Sequence, residues 1–172
     1  MLSLHKIPSG LSFFSPTVLL ASFAGTGLIK PASGTWGSLA AFAIGFHILL
    51  YYNWLYLFFL SITLYLVGLW ACSRWLRHDN ESDPSAIVID EAAGLFLALA
   101  LIPYPRDNLP ALACFGLGFI MFRLFDIFKP WPVSYFDKKI KGAQGIMLDD
   151  MVAGLLAALT TALLSLGMPD VP

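Results

Sequence analysis

PASGTWGSLAAFAIGFHILLYYNWLYLFFLSITLYLVGLWACS, residues 31–73, runs for 43 residues without an Asp, Glu, Lys or Arg. A membrane-crossing helix needs about 20 consecutive apolar residues, so the stretch is long enough for two. Asn53 interrupts it near the middle and marks a short turn, which predicts one span at about Trp36–Tyr52 and another at about Leu55–Trp75. The rest of the chain leans the same way. Hydrophobic residues make up 58% and charged residues 12%, against about 45–50% and about 25% in soluble domains. The length of 172 residues suits one domain spanning 1–172. A net charge of −1 offers no basic surface for nucleic acid. Cys72 and Cys114 sit in apolar segments and read as small buried hydrophobes, with neither a disulfide framework nor a metal-ligand spacing. No cleaved signal peptide is expected.

Outward from the long stretch, residues 1–16 read as a short, loose leader. Ser15-Pro16 reads as a helix start, and TVLLASFAGTG (17–27) is too short to span, which suits an interfacial or re-entrant helix. A glycine-rich loop, GTGLIKPASGTWGS, covers 25–38. On the other side come a polar loop at 77–86, a third apolar segment at Ile87–Pro103, and a proline-rich turn, PYPRDNLP. A fourth segment is expected at about Leu109–Lys129, a loop at 130–148, and a fifth segment at Asp149–Gly167. The expected fold is all-α: an integral membrane helical bundle of about four to five membrane-embedded helices with an interfacial N-terminal helix. Basic residues favour the cytoplasmic side of a membrane. With a cytoplasmic N-terminus and five spans, nine of the ten Lys and Arg residues fall at that side and only Arg106 falls outside.

The same threading brings four chemically rich segments to one level. They are the glycine-rich loop with Lys30, the pair Asp90/Glu91, the run FRLFDIFKPWP (122–132) with Arg123, Asp126 and Lys129, and the pair Asp149/Asp150. Acids at the ends of apolar helices are costly and mark function. Asp90, Glu91, Asp126, Asp149 and Asp150 offer the oxygen ligands that Mg²⁺ favours. Neighbours on a helix point about 100° apart, so each pair supplies one inward ligand and one group that caps or supports. Both pairs are expected to start a helix, where a carboxylate is also favoured as a cap. Lys30, Arg123 and Lys129 are the anion partners, and Thr35 joins them as a phosphate-binding candidate in the glycine-rich loop. The plain alternative for Arg123, Asp126 and Lys129 is a solvated i,i+3 ladder. For Lys138, Lys139 and Lys141 it is a wet loop touching anionic lipid. No Cys-x5-Arg loop, GxSxG elbow or histidine cluster is present.

GTGLIKPASGTWGS, IVIDEAAG, FRLFDIFKPWP and GIMLDDMVAG, in this order over about residues 20–160, resemble the hallmark blocks of the phosphatidylglycerophosphatase A family. The resemblance implies an all-α membrane enzyme that uses Mg²⁺ to remove the terminal phosphate of phosphatidylglycerophosphate. The product is phosphatidylglycerol, and the setting is a bacterial cytoplasmic membrane with the site at its cytoplasmic face. Arg123, Lys129, Lys30 and Thr35 would then hold phosphate. Glu91, Asp126, Asp149 and Asp150 would be the catalytic carboxylates, with Asp90 among the metal ligands. The nucleophile is water or, alternatively, an aspartate. Two other readings stand beside this one: a small transporter, supported by the likeness of IVIDEAAGLFLALA to IMLDDMVAGLLAAL, and a phosphatase for other lipid phosphates.

Overall fold

A computed structural model describes residues 3–79, 81–103 and 111–166. It is all-helical apart from one two-residue strand pair. Residues 3–5 are not loose: β1 (Ser3–Leu4) pairs antiparallel with β2 (Ile29–Lys30), and the His5 N–H donates to the Leu28 carbonyl at 2.8 Å. Between them, α1 (Pro16–Ala21) begins as its sequence predicts, with the Ser15 hydroxyl accepting from the Val18 N–H at 3.3 Å. Such a cap satisfies one of the free N–H groups of a helix start.

The decisive stretch forms α2 (Ser33–Tyr51) and α3 (Trp54–Leu76), and Asn53 between them caps α3 by accepting from the Leu55 N–H at 3.1 Å. Then come α4 (Ile89–Leu101), α5 (Ala111–Phe128), α6 (Val133–Lys139) and α7 (Ala143–Leu166). Among the described residues, α2, α3 and Ala143–Ser165 of α7 are long and apolar enough to cross a membrane. The 13 residues of α4 rise only about 20 Å, short of the roughly 30 Å hydrocarbon core. Every residue from Ala92 to Ala100 is nonetheless buried. An all-round apolar helix of this kind is the core of its bundle, and α4 packs most extensively on α7 and α3. Most of the large apolar side chains left exposed, among them Leu66 on α3, Ile120 on α5 and Leu159 on α7, lie on the outer helices. A bundle immersed in lipid needs no polar cover there.

Two expectations are corrected. Residues 130–148 are not a loop, because α6 and the first turns of α7 lie inside that range. Consequently Asp149 and Asp150 do not start a helix: α7 begins at Ala143 and has no acid in its first turn. Only Asp90 and Glu91 lie in the first turn of a helix, that of α4, and even there no side chain caps the helix start. Arg106 lies outside the described residues.

The likeness between IVIDEAAG and IMLDDMVAG has a structural meaning. It marks two parallel helices, α4 and α7, packed through glycine. A Cβ on Gly154 would overlap the Gly94 carbonyl oxygen, and one on Gly94 would overlap the Asp150 carbonyl oxygen. Small residues are what let membrane helices approach this closely. Asp90 lies four residues before Gly94, and Asp150 four before Gly154. Residues four apart share a helix face. Both aspartates therefore lie on the α4–α7 seam, just beyond the closest contact.

Candidate active site

One end of the bundle holds a polar cavity of about 790 Å³. Its walls come from the start of α2 (Ser33, Gly34, Thr35), the α3–α4 loop (Asp83, Ser85), the start of α4 (Asp90, Glu91), the end of α5 (Arg123, Asp126, Ile127), Lys129, and Asp137, Asp149 and Asp150 from α6 and α7. The elements are tied together across the cavity. Ser33 Oγ donates to the Ser85 carbonyl, and Ser38 Oγ donates to Glu91. Gly34 leaves room for the Glu91 carboxylate, which a Cβ there would displace.

Arg123 is one hub. Its Nη1 donates to Glu91 Oε2 at 2.6 Å, to Asp126 Oδ2 at 2.6 Å and to Ser38 Oγ at 3.1 Å. Its side chain is only 16% exposed, so the stripe is not a solvated ladder. Removing this cation strands two carboxylates in a poorly hydrated place, a loss of about 3–5 kcal/mol for a buried pair. Arg123→Ala is therefore expected to lower stability by that order, with Arg123→Lys recovering part of it, as read from detergent-phase thermal unfolding.

Lys129 is the second hub, and it leaves the stripe. It occupies the left-handed region at φ 43°, and its N–H donates to the Phe125 carbonyl at 2.9 Å. This ends α5 and turns the chain. The ammonium then donates to Asp137 Oδ1 at 2.6 Å and Asp149 Oδ2 at 2.7 Å rather than pairing with Asp126. Burial works against its charge, but the hydrogen bonds to Asp137 and Asp149 prevail and hold its pKa above the ordinary lysine value.

Each acidic pair thus divides. Glu91 faces Arg123, and Asp149 faces Lys129. Asp90 and Asp150 have no ion-pair partner among the described residues, and Asp90 Oδ1 is buried without any hydrogen-bond partner. Seven carboxylates line the cavity against three cations, Arg123, Lys129 and Lys141. Such a site repels a phosphate unless further positive charge enters. Among the described residues no three acidic, histidine or cysteine side chains form a ready-made ligand cage. Mg²⁺ does not ask for one, since it commonly takes one or two carboxylates and completes its shell with water and substrate oxygens. The all-oxygen donor set and the orphaned Asp90 oxygen fit that ion.

The structure brings together Thr35, Asp90, Glu91, Arg123, Asp126, Lys129, Asp149 and Asp150 around one cavity. Lys30 is set apart: it lines a smaller pocket with His5, Lys6 and Glu81. Sequence reasoning missed Asp137 and Ser38. Asp137 was masked by the lysines that follow it, and an acid inside a short amphipathic segment was its only signal. Lys138 and Lys139 lie in the last turn of α6, and Lys141 donates to the Asp137 carbonyl at 3.1 Å.

The family model for phosphatidylglycerophosphatase A matches residues 19–165. A phosphatidylglycerophosphatase A of Haemophilus influenzae is 38% identical over 149 residues, 87% of this chain and 88% of that protein. The phosphatidylglycerophosphatase A of Escherichia coli K12 is 34% identical over 151 residues, 87% and 84% of the two chains. A Bacteroides thetaiotaomicron protein with the provisional name phosphatidylinositol-3-phosphatase is 34% identical over 84% of this chain and 91% of its own. No solved structure matches. With the four sequence blocks meeting at a single cavity and a match running over nearly the whole chain, the protein belongs to the phosphatidylglycerophosphatase A family.

Proposed function

We propose that the cavity hydrolyses the terminal phosphate monoester of phosphatidylglycerophosphate to phosphatidylglycerol and inorganic phosphate, with Mg²⁺ as cofactor. The observation that carries the reading is the pair Asp90 and Asp150, left without cations in a cavity already rich in carboxylates. These two would hold the metal. When bound, Mg²⁺ supplies the positive charge that a phosphate dianion needs there. Arg123 and Lys129 are held charged and in place by Glu91, Asp126, Asp137 and Asp149, so that they meet the phosphate oxygens without reorganising. The N-terminus of α2, at Ser33, Gly34 and Thr35, adds a dipole of the right sign. Water attacks phosphorus as the bond to the glycerol oxygen breaks; Asp126, beside Arg123 and Asp150, takes the proton that water loses, the departing glycerol oxygen takes a proton from solvent, and Asp126 then returns its own to solvent. Lys30 is not assigned to the phosphate, because it lies in a separate pocket.

We place this cavity at the cytoplasmic face of a bacterial membrane that the chain crosses several times. The lipid head group then sits among the charges while the acyl chains stay in the bilayer. The support is the gathering of Arg123, Lys129, Lys138, Lys139 and Lys141 at one end of the bundle. Purified protein in detergent, given phosphatidylglycerophosphate beside phosphatidate and phosphatidylinositol 3-phosphate, tests the activity. Mg²⁺-dependent phosphate release favouring the first lipid is expected. Undiminished release in EDTA removes the metal from the account, and preference for another lipid moves the substrate assignment.

A further inference from the structure

Of the three cations that line the cavity, two are each held by a pair of carboxylates: Arg123 by Glu91 and Asp126, and Lys129 by Asp137 and Asp149. The third, Lys141, has no carboxylate partner among the described residues. It is exposed at the rim, and its ammonium donates to an uncharged acceptor, the Asp137 carbonyl, at 3.1 Å. The corner that carries it is closely packed. A Cβ on Gly145 would overlap the Ile140 carbonyl oxygen, and Gly142 turns the chain into α7 at φ 71°. Lys138 and Lys139, in the last turn of α6, stand outside the cavity walls. Asp137 also sets how far Lys141 stands from Lys129. Lys129 donates to its Oδ1 at 2.6 Å, and Lys141 to its backbone oxygen. Those two oxygens are joined through Cγ, Cβ, Cα and the carbonyl carbon of a single residue.

Resting on the lipid-phosphatase reading above, we infer that Lys141 binds the internal phosphodiester of the substrate, and so selects lipids with a second phosphate beyond the first against phosphatidate. The head group has a span that matches Asp137: the carbons of one glycerol join the oxygen of the terminal monoester to the oxygen of the diester. A monoester at Lys129 therefore brings the diester, with its single negative charge, to the next cation along the wall. Lys141 gives up no ion pair to meet it, and an ammonium is a point charge that suits a diester with two free oxygens. The diester is untouched by the hydrolysis and is the same in substrate and product. Lys141 thus binds ground state and transition state alike, which lowers KM without raising kcat. Phosphatidate, whose one phosphate is attached directly to the diacylglycerol, gains nothing from it.

The two products divide the test between the two phosphates. Phosphatidylglycerol carries the diester alone, and inorganic phosphate stands for the monoester alone. Each is measured as an inhibitor of phosphatidylglycerophosphate hydrolysis in mixed detergent micelles, for the parent, Lys141→Met, Lys141→Arg and Lys139→Met. Loss of one hydrogen bond to a charged group predicts a rise of about tenfold in both the KM for the substrate and the Ki of phosphatidylglycerol in Lys141→Met, with kcat unchanged. The Ki of inorganic phosphate stays within about twofold of the parent's. Lys141→Arg keeps the charge and recovers most of the loss. Lys139→Met removes a lysine beside the cavity and matches the parent, which separates a specific contact from general attraction to anionic micelles. An unchanged Ki for phosphatidylglycerol in Lys141→Met, an equal rise for inorganic phosphate, or the same rise in Lys139→Met overturns the assignment. No phosphate release by the parent overturns the phosphatase reading itself, a result distinct from an inhibition pattern that fails to split.

Discussion

Asp150→Asn is expected to lower phosphate release by about a thousandfold while leaving the fold intact. Asp150 is 3% exposed, sits on the α4–α7 seam and carries no cation of its own. Asparagine keeps its shape and removes its charge. If Asp150 and Asp90 together hold the divalent ion, the loss is a large part of that ion's several kcal/mol of charge stabilisation. At 1.36 kcal/mol per decade, about 4 kcal/mol is a fall of about a thousandfold. Stability moves the other way. Without metal, the variant has one fewer negative charge in a crowded acidic cavity, so its thermal midpoint in EDTA is equal to or above the parent's. Asp149→Asn is the contrast. Lys129 keeps Asp137 as a partner at 2.6 Å, so the loss is smaller, about ten- to thirtyfold, as expected for a supporting hydrogen bond to a charged group. Parallel kinetics and unfolding curves in detergent check all three expectations.

Gly154→Leu is expected to damage the fold itself. The obstacle to its side chain is the Gly94 carbonyl, a backbone atom that no rotamer change can move. The helices must part, and overpacking of this kind costs about 1–3 kcal/mol or more. Separation also pulls Asp150 from Asp90, so activity falls in whatever fraction stays folded. Gly116→Ala supplies the comparison, since a Cβ there enters open space. A helical Gly→Ala change is then neutral or stabilising by about 0.5–1 kcal/mol. Unfolding midpoints of the two variants measured side by side should differ in sign. Equal midpoints would show that the α4–α7 contact is looser than the structure has it.

Much of this was legible in the sequence, and the exceptions have physical causes. The uncharged run 31–73 fixed two helices and their turn, because length and apolarity are direct requirements of a spanning helix. The charged positions were legible because an ion in an apolar segment is costly and therefore conspicuous. What composition could not supply was pairing. Arg123 and Lys129 lie on one stripe by spacing, yet the left-handed turn at Lys129 sends its side chain to Asp137 and Asp149. Nothing in FRLFDIFKPWP alone specifies that turn, since lysine rarely adopts it. The start of α7 was missed for a related reason. Residues 143–148, AQGIML, carry no charge and no Ser, Thr, Asp or Asn to mark a helix start, and an acidic pair looked like the natural helix cap. The division of labour within each acidic pair depended on the parallel contact of α4 with α7. Its sequence signature was present, as an Asp followed four residues later by Gly in both blocks, but only the packed helices show that the two faces meet.

The most direct test of the central claim is binding of Mn²⁺, as a spectroscopic stand-in for Mg²⁺, to the purified protein followed by electron paramagnetic resonance. The parent and the Asp90→Asn/Asp150→Asn double variant would be compared with Asp149→Asn. Saturable binding is expected in the parent and in Asp149→Asn, with its loss in the double variant at the same protein concentration. Unchanged Mn²⁺ binding in the double variant would contradict that claim and remove Asp90 and Asp150 from the metal site.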